Sequence, residues 1–412
     1  MEMNEDEREN LIKTNRWISD GLKAIKVKFL RDSKDADKAE EYDPEFVYQQ
    51  LGDQETIFGY DGLKVTINYT DLSLHAFIDV TYSAKFKEDK GLKADDIVSK
   101  MINSDVRANV AVESKEEFQV KLASQKKFKP FGELISKFER GERRFELFKV
   151  TETSPEFDFY LERMQSISML YIEGCSYTDS TDEQWMHYFV YESCESDQGD
   201  GSRYLKSAGY CSLYRFYAYP DKVRPRIAQM LLLPPYRKCG IGAKFLQTII
   251  SDLCVSSDVV DVSVESPGDN FVYLRDYVDC VNCLTLTEFS PQNLKKGFSE
   301  AMRMAALEKK KISKLQARRV YEILRFRSTN KKDKAELKEF RLDVKKRLFL
   351  PMKKSDKDWK RLNEALPKEE LIKAAAGEMD EKQKYTQLQK MYDDLTVEYQ
   401  KVIDRLEMYP TI

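Results

Sequence analysis

The stretch "RIAQMLLLPPYRKCGIGAKFLQTIISDL", from Arg226 to Leu253, constrains this chain more than any other. It opens as an apolar strand and closes as an amphipathic helix, with two prolines, two cations and two glycines between. Pro234 and Pro235 end the strand, because proline has no N–H to give to a ladder. Gly240 and Gly242 permit backbone conformations closed to other residues and let a ligand approach the main chain. The first N–H groups of the following helix lack partners inside it, and its dipole adds partial positive charge. Such a junction is an anion site suited to phosphate or diphosphate. A P-loop would need Gly-Lys-Ser/Thr, and a dinucleotide fingerprint a third glycine; neither is present. What remains is Arg/Gln-x-x-Gly-x-Gly/Ala, carried by Arg237, Lys238, Cys239, Gly240, Ile241 and Gly242 and leading into Ala243.

The flanking residues place this junction in a sheet. "DEQWMHYFVYE", "GYCSLYRFYAY", "RIAQMLLL" and "VVDVSVE" are four strand candidates rich in aromatic and branched residues. The helix between the last two implies a crossover and a locally parallel or mixed sheet. Upstream, "LKVTINY" and "LSLHAFIDVTY" alternate apolar and polar residues, the period of antiparallel strands. "FGELISKFER" (Phe131–Arg140) reads as a short helix and "RRFELFKV" as a strand. Beyond Leu284 strand signals stop. The charged tail ends in a helical stripe of Leu388, Met391, Tyr392, Leu395, Tyr399, Val402, Ile403 and Leu406, expected to pack on its own domain.

A chain of 412 residues exceeds one ordinary core. The spans expected are 1–145 (mixed), 146–284 (the sheet with the glycine turn) and 285–412 (helical), an α+β fold. Lys plus Arg is 68 against 71 Asp plus Glu, a net charge of -3, which argues against direct DNA binding. No apolar run reaches membrane-spanning length, and the first residues, "MEMNEDEREN", are unlike a secretory signal. Seven cysteines between Cys175 and Cys283 read as free thiols in cytoplasm or nucleus. With only His75 and His187, a multi-histidine metal site is excluded, and no metal is expected. Cys280 and Cys283 have metal spacing but no second pair, so they read as buried thiols. The basic run Lys309–Arg319 reads as a solvated helix face.

Glu265, at the end of "VVDVSVE", stands one strand beyond the helix. The glycine turn looks like the acetyl-CoA loop of the GNAT superfamily, and that resemblance implies a thioester beside such a carboxylate, in an apolar wall that tunes its basicity. On position alone a solvated strand-end glutamate fits equally well. A lysine amine is protonated at neutral pH, with an ordinary pKa of ~10.4, so its acylation requires such a base. A main-chain N–H near Leu231 would meet the developing oxyanion. Cys239 is read as part of the turn, not as a nucleophile.

Beyond the glycine turn, which looks like the acetyl-CoA loop of the GNAT superfamily, several stretches resemble the catalytic subunit of type B histone acetyltransferases. They are "ETIFGYDGLK" (Glu55–Lys64), "FYAYPDKVRPRIAQMLLL" (Phe216–Leu233), "VESPGDNFVYLRDYV" (Val264–Val278) and "QARRVYEILR" (Gln316–Arg325). The resemblance runs from about residue 24 nearly to the C-terminus. It implies a central GNAT mixed sheet with flanking helices, between a mixed N-terminal and a helical C-terminal domain. It also implies acetyl-CoA as co-substrate, contacted by Met230, Leu231, Leu232, the turn Arg237–Ala243 and Asn270, with Glu265 as general base. For the substrate, the N-terminal tail of free core histones (chiefly the fourth), it implies Asp53, Gln54, Glu55, Trp185, Tyr214, Arg215 and Phe216. Carboxylates would attract such a basic tail, and aromatic walls would take the aliphatic part of lysine. A WD-repeat histone-binding escort and a place in cytoplasm and nucleus are implied as well. The competing expectations are a histone-binding chaperone with weak or no catalysis, and a GNAT acting on another amine. Two departures stand out. Where the family reads Glu-Asp-Pro this chain has Glu265-Ser266-Pro267, so a second carboxylate is missing. Arg237 and Lys238 stand where the family often has a glutamine and a small residue, and their charge is expected to strengthen diphosphate binding.

Overall fold

A computed structural model describes residues 15–102, 106–179, 181–195, 202–365 and 381–412; the acidic N-terminal run lies outside them. The chain divides into two compact units, Met1–Phe216 with Arg226–Ile241, and Tyr217–Pro225 with Gly242–Ile412. The described elements are mixed α and β, as expected. Among the described residues no helix is long and apolar enough to cross a membrane.

In the first unit, β1 (Ile18–Asp20) pairs antiparallel with β3 (Thr56–Phe58), beyond β2 (Ile25–Leu30) in sequence. The short β4 (Tyr60–Asp61) is followed by β5 (Lys64–Thr70), β6 (Ala76–Thr81) and β7 (Ala84–Lys85). β2 lies parallel to β5, and β5 antiparallel to β6. The alternation holds: Val65, Ile67, Tyr69, Ala76 and Ile78 are buried. β6 begins later than expected, because Leu72–Leu74 form the turn, with Leu74 in the left-handed region. His75 follows that turn, its Nδ1 3.1 Å from the Ser73 hydroxyl. Helix α1 (Lys115–Ser124) lays Phe118 and Leu122 against Leu30 of β2.

The larger sheet orders β8 (Glu133–Arg140), β9 (Arg143–Val150), β10 (Trp185–Glu195), β11 (Arg203–Ala218) and β12 (Lys222–Leu232) side by side. β8 is a correction: Phe131–Arg140 was expected to be helical. Its apolar spacing fits a helix turn, but Gly141 and Glu142 close a hairpin that pairs Phe138 with Phe145, both buried. Helix α2 (Pro155–Ser168) packs on this sheet, its start capped by Ser154, which accepts from the Phe157 N–H. Phe157 and Tyr160 stand edge-on or tilted against Phe189. Each such buried ring contributes roughly 1.5–3 kcal/mol. The buried Arg163 of α2 donates to Ser73 O and Asn109 O, fixing the helix to the first sheet's turn.

In the second unit, helix α3 (Ile241–Val255) carries the chain from the glycine turn to β13 (Ser263–Val264), where the Ser263 hydroxyl lies 3.5 Å from Pro225 O. Val223 bridges Val259 in parallel, as the crossover required. "VVDVSVE" is thus less regular than expected, a bridge and a two-residue strand. Among the described residues that follow, the long elements are the helices α4 (Asp269–Leu284), α5 (Glu300–Lys310), α6 (Lys314–Ser328), α7 (Lys334–Ala365) and α8 (Glu381–Met408). The apolar stripe of α8 packs into its own unit, with Tyr399, Val402, Ile403 and Leu406 buried. The basic run is only partly a solvated face. Arg318 pairs with Glu322 and Asp343, and Arg319 with Asp276 and Glu398. All seven cysteines are free, Cys280 and Cys283 buried.

Candidate active site

The glycine turn is built by a sequence of local constraints. A bulge in β11 leaves Ala208 unpaired between the partners of Val190 and Tyr191. Its carbonyl turns to accept the Leu233 N–H at 2.9 Å, holding the end of β12. Beside it Gly209 is required, since a Cβ there would strike the Leu231 carbonyl. Pro234–Tyr236 then make one 3-10 turn. Lys238 and Gly240 both take left-handed conformations, φ +59° and +84°, before α3 begins at Ile241. Main-chain N–H groups are thereby presented at a helix start, the arrangement that suits a phosphate.

Beside the turn lies a polar support that is buried at Tyr236 and half-buried at Glu192 and Arg143. The Tyr236 hydroxyl donates to Glu192 Oε2 at 3.1 Å, and Arg143 grips both oxygens of Glu192 at 2.6 and 3.0 Å. The Arg143 guanidinium also lies 4.7 Å from the Tyr236 ring centroid. Burial holds the Tyr236 hydroxyl well above its usual range, so it stays protonated and donates. The Cys239 thiol donates to Tyr236 O at 2.9 Å, a bond within the turn consistent with a structural thiol.

Arg237 has partners that sequence reasoning did not foresee. Arg237 was expected to add charge for a diphosphate, but its Nε donates to Leu232 O, its Nη1 pairs with Glu45, and its guanidinium lies 4.6 Å from the Tyr171 ring. That cation is already matched; Lys238 remains exposed. Of the strand residues, Leu231 is buried while Met230 and Leu232 are half-buried.

At the other end of β10 and β11 an aromatic strip is assembled. The Trp185 ring stands edge-on to Tyr214 at 5.1 Å, and Tyr214 lies 4.6 Å from Phe216. Tyr214 donates to Asp182 Oδ2 at 2.8 Å, and that bond raises its hydroxyl pKa. Arg226 stacks 4.3 Å above Phe216, while Arg215 is tied to the carbonyl of Glu183. Asp53, Gln54 and Glu55 occupy a separate tight turn, in which Gly52 and Glu55 are left-handed and Glu55 O accepts from the Gly21 N–H.

In the second unit, Gly242 and Ala243 are buried in the first turn of α3. Asn270 is exposed in the first turn of α4. Glu265 is also exposed, not set into an apolar wall as expected, because the strand frays immediately before it and Ser266 bends into the left-handed region at φ +35°.

Comparison with known proteins accounts for this combination. A model described as "Histone acetyl transferase HAT1 N-terminus" matches residues 17–173, and one described as "Histone acetyltransferase type B catalytic subunit, C-terminal" matches 275–326. The chain is 36% identical over 391 residues to the histone acetyltransferase type B catalytic subunit of Rattus norvegicus, covering 93% of this chain and 92% of that protein. The Homo sapiens protein of the same name is 35% identical over the same span and shares, and the Mycosarcoma maydis one 28% over 370 residues, 81% of this chain and 80% of that protein. The chain belongs to the histone acetyltransferase type B catalytic subunit family. It is a family of enzymes, and its resemblance in the four stretches quoted above is thereby explained.

Sequence reasoning missed Arg140, whose guanidinium lies against Gly240. It also missed Asp182, Arg226 and the Glu45–Tyr171 clamp on Arg237. The hairpin of Arg140 was within reach, though the contact with Gly240 was not: "ERGERR" at 139–144 is a glycine flanked by paired cations and acids, a hairpin signal.

Proposed function

We propose that this protein transfers acetyl from acetyl-CoA to lysines in the N-terminal tail of free histones, chiefly the fourth core histone, on a GNAT-type sheet. The observation that carries the reading is the turn Arg237–Ile241, left-handed at Lys238 and Gly240 and opening helix α3. Such a turn fits a coenzyme diphosphate, because its bare amides can reach phosphate oxygens. Bound acetyl-CoA supplies an already activated thioester, so no covalent enzyme intermediate is needed.

This chain's residues have four tasks. The amides from Lys238 to Ala243 hold the diphosphate, Met230, Leu231 and Leu232 line the pantetheine arm, and Asn270 assists at the cofactor. The Leu231 N–H faces the oxyanion. Glu265 takes the proton from the lysine amine, directly or through a water, its exposure leaving room for either route. Trp185, Tyr214 and Phe216, with Arg215 held beside them, take the aliphatic part of a substrate lysine, and Asp53, Gln54 and Glu55 favour a basic tail. The division of labour follows spans 1–145, 146–284 and 285–412. A WD-repeat escort for free histones and a distribution between cytoplasm and nucleus complete the reading.

The test is mass spectrometry of free histones incubated with acetyl-CoA and either the wild type or Glu265→Gln. Acetylated tails with the wild type alone support the proposal. A second reading, a histone-binding chaperone without turnover, draws on the exposed Glu265 and on Ser266 beside it. It requires tail binding indifferent to acetyl-CoA and no acetylation by the wild type.

A further inference from the structure

The β8–β9 hairpin turns through only Gly141, at φ +60°, and Glu142, so Arg140 and Arg143 form its last ladder pair. Residues paired in this way project from one face of the hairpin. Both of them reach the glycine turn. Arg143 spends its charge on Glu192 and its flat face on the Tyr236 ring, which pins the hairpin tip to the segment entering the turn. Arg140, exposed, lies across Gly240: its Nε and Nη2 are 2.9 and 3.0 Å from the point where a Cβ on that glycine would stand. Gly240 is therefore bare for two reasons, its left-handed φ and the guanidinium laid over it. An arginine's planar fork meets two phosphate oxygens at once, where each backbone amide meets one.

The geometry points to Arg140 as a cofactor-binding residue that donates to the coenzyme's diphosphate at the glycine turn. The inference rests on reading that turn as the coenzyme site. It adds a cation from a different strand pair, beside a turn whose Arg237 is held by Glu45 and the Tyr171 ring. A small swing of an exposed side chain brings the fork from the Gly240 Cα to a diphosphate over the amides, while Arg143 holds the hairpin still.

The experiment is calorimetric titration of the full chain, wild type, Arg140→Ala and Arg140→Lys, with coenzyme A and with dephospho-coenzyme A, which keeps the diphosphate but lacks the 3′-phosphate. Loss of a charge-assisted hydrogen bond should raise Kd roughly ten- to hundredfold for both ligands. Arg140→Lys should recover part of that loss, its point charge replacing the fork. Arg140→Gln, which keeps bulk without charge, stands in should the alanine variant fold poorly. Unchanged Kd in the alanine or glutamine variant overturns the assignment, and so does a loss confined to coenzyme A, which would move the contact to the 3′-phosphate. Failure of the wild type to bind either ligand would instead overturn the reading of the turn itself.

Discussion

Arg347 holds the carboxylate of Glu322 through two parallel hydrogen bonds, Nε to Oε1 and Nη2 to Oε2, each 2.7 Å. Arg318 donates to the same group at 2.8 Å and Tyr399 at 2.8 Å, so one fully buried glutamate ties α6, α7 and α8 together. Removing it leaves the partly buried Arg347 without its carboxylate, Arg318 with Asp343 alone and the Tyr399 hydroxyl without its acceptor. Glu322→Leu should cost the second unit about 3–5 kcal/mol, the cost of breaking a buried pair on one side. Urea denaturation gives the number, and a variant as stable as wild type would show that the network is idle.

Gly240→Val should raise the Michaelis constant for acetyl-CoA at least tenfold, because its branched Cβ meets the Arg140 guanidinium and the backbone sits at φ +84°. Gly240→Ala should have the same effect, less strongly. Steady-state kinetics with a histone-tail peptide measures both, and an unchanged constant for the valine variant would remove the turn from the cofactor site.

Glu265→Gln should lower turnover by about 10²–10⁴, the usual worth of a positioned general base. Cofactor affinity should hold, since the substitution alters only proton acceptance. A variant that keeps wild-type turnover would transfer the role to another group.

Trp185→Ala should weaken the histone-tail peptide by roughly three- to thirtyfold through lost aromatic contact, with acetyl-CoA affinity kept. Equal losses for peptide and cofactor would mean that the ring supports the sheet and does not touch substrate.

Acid should weaken the first unit through His187. Burial lowers its pKa to about 3, and its Nδ1 lies 2.8 Å from the Ser212 hydroxyl. The unfolded chain takes up a proton near pH 6.5 while the folded chain refuses it down to about 3. Stability is therefore fully present above 6.5 and drains away as pH falls between those values, by up to about 1.4 kcal/mol per pH unit. His187→Gln should show a shallower fall of melting temperature between pH 7.5 and 5 than wild type. Identical slopes would overturn the assignment. Asp279, which burial raises to about 6, acts in the opposite sense in the other unit, so the comparison is between variant and wild type at each pH.

Elements with a strong local period were legible: the strand–turn–helix at 226–253, the alternating β5 and the stripe of α8. Phe131–Arg140 was not, because ten residues with apolar positions at 131, 134, 135 and 138 satisfy a helix as well as a strand. The choice is made by pairing across Gly141, a non-local fact. The glycine turn could be read because its residues are contiguous. Arg140 against Gly240, separated by a hundred residues, could not. Nor could the fate of Arg237, since sequence gives a cation but not the Glu45 and Tyr171 that claim it.

The bond between Arg237 and Glu45 turns a familiar motif position into a rivet. Swapping that arginine for glutamine would loosen the stretch after β2 from the loop, and the damage would surface as fragility on heating. A mutational scan scored by product alone would misfile such a variant among the coenzyme contacts.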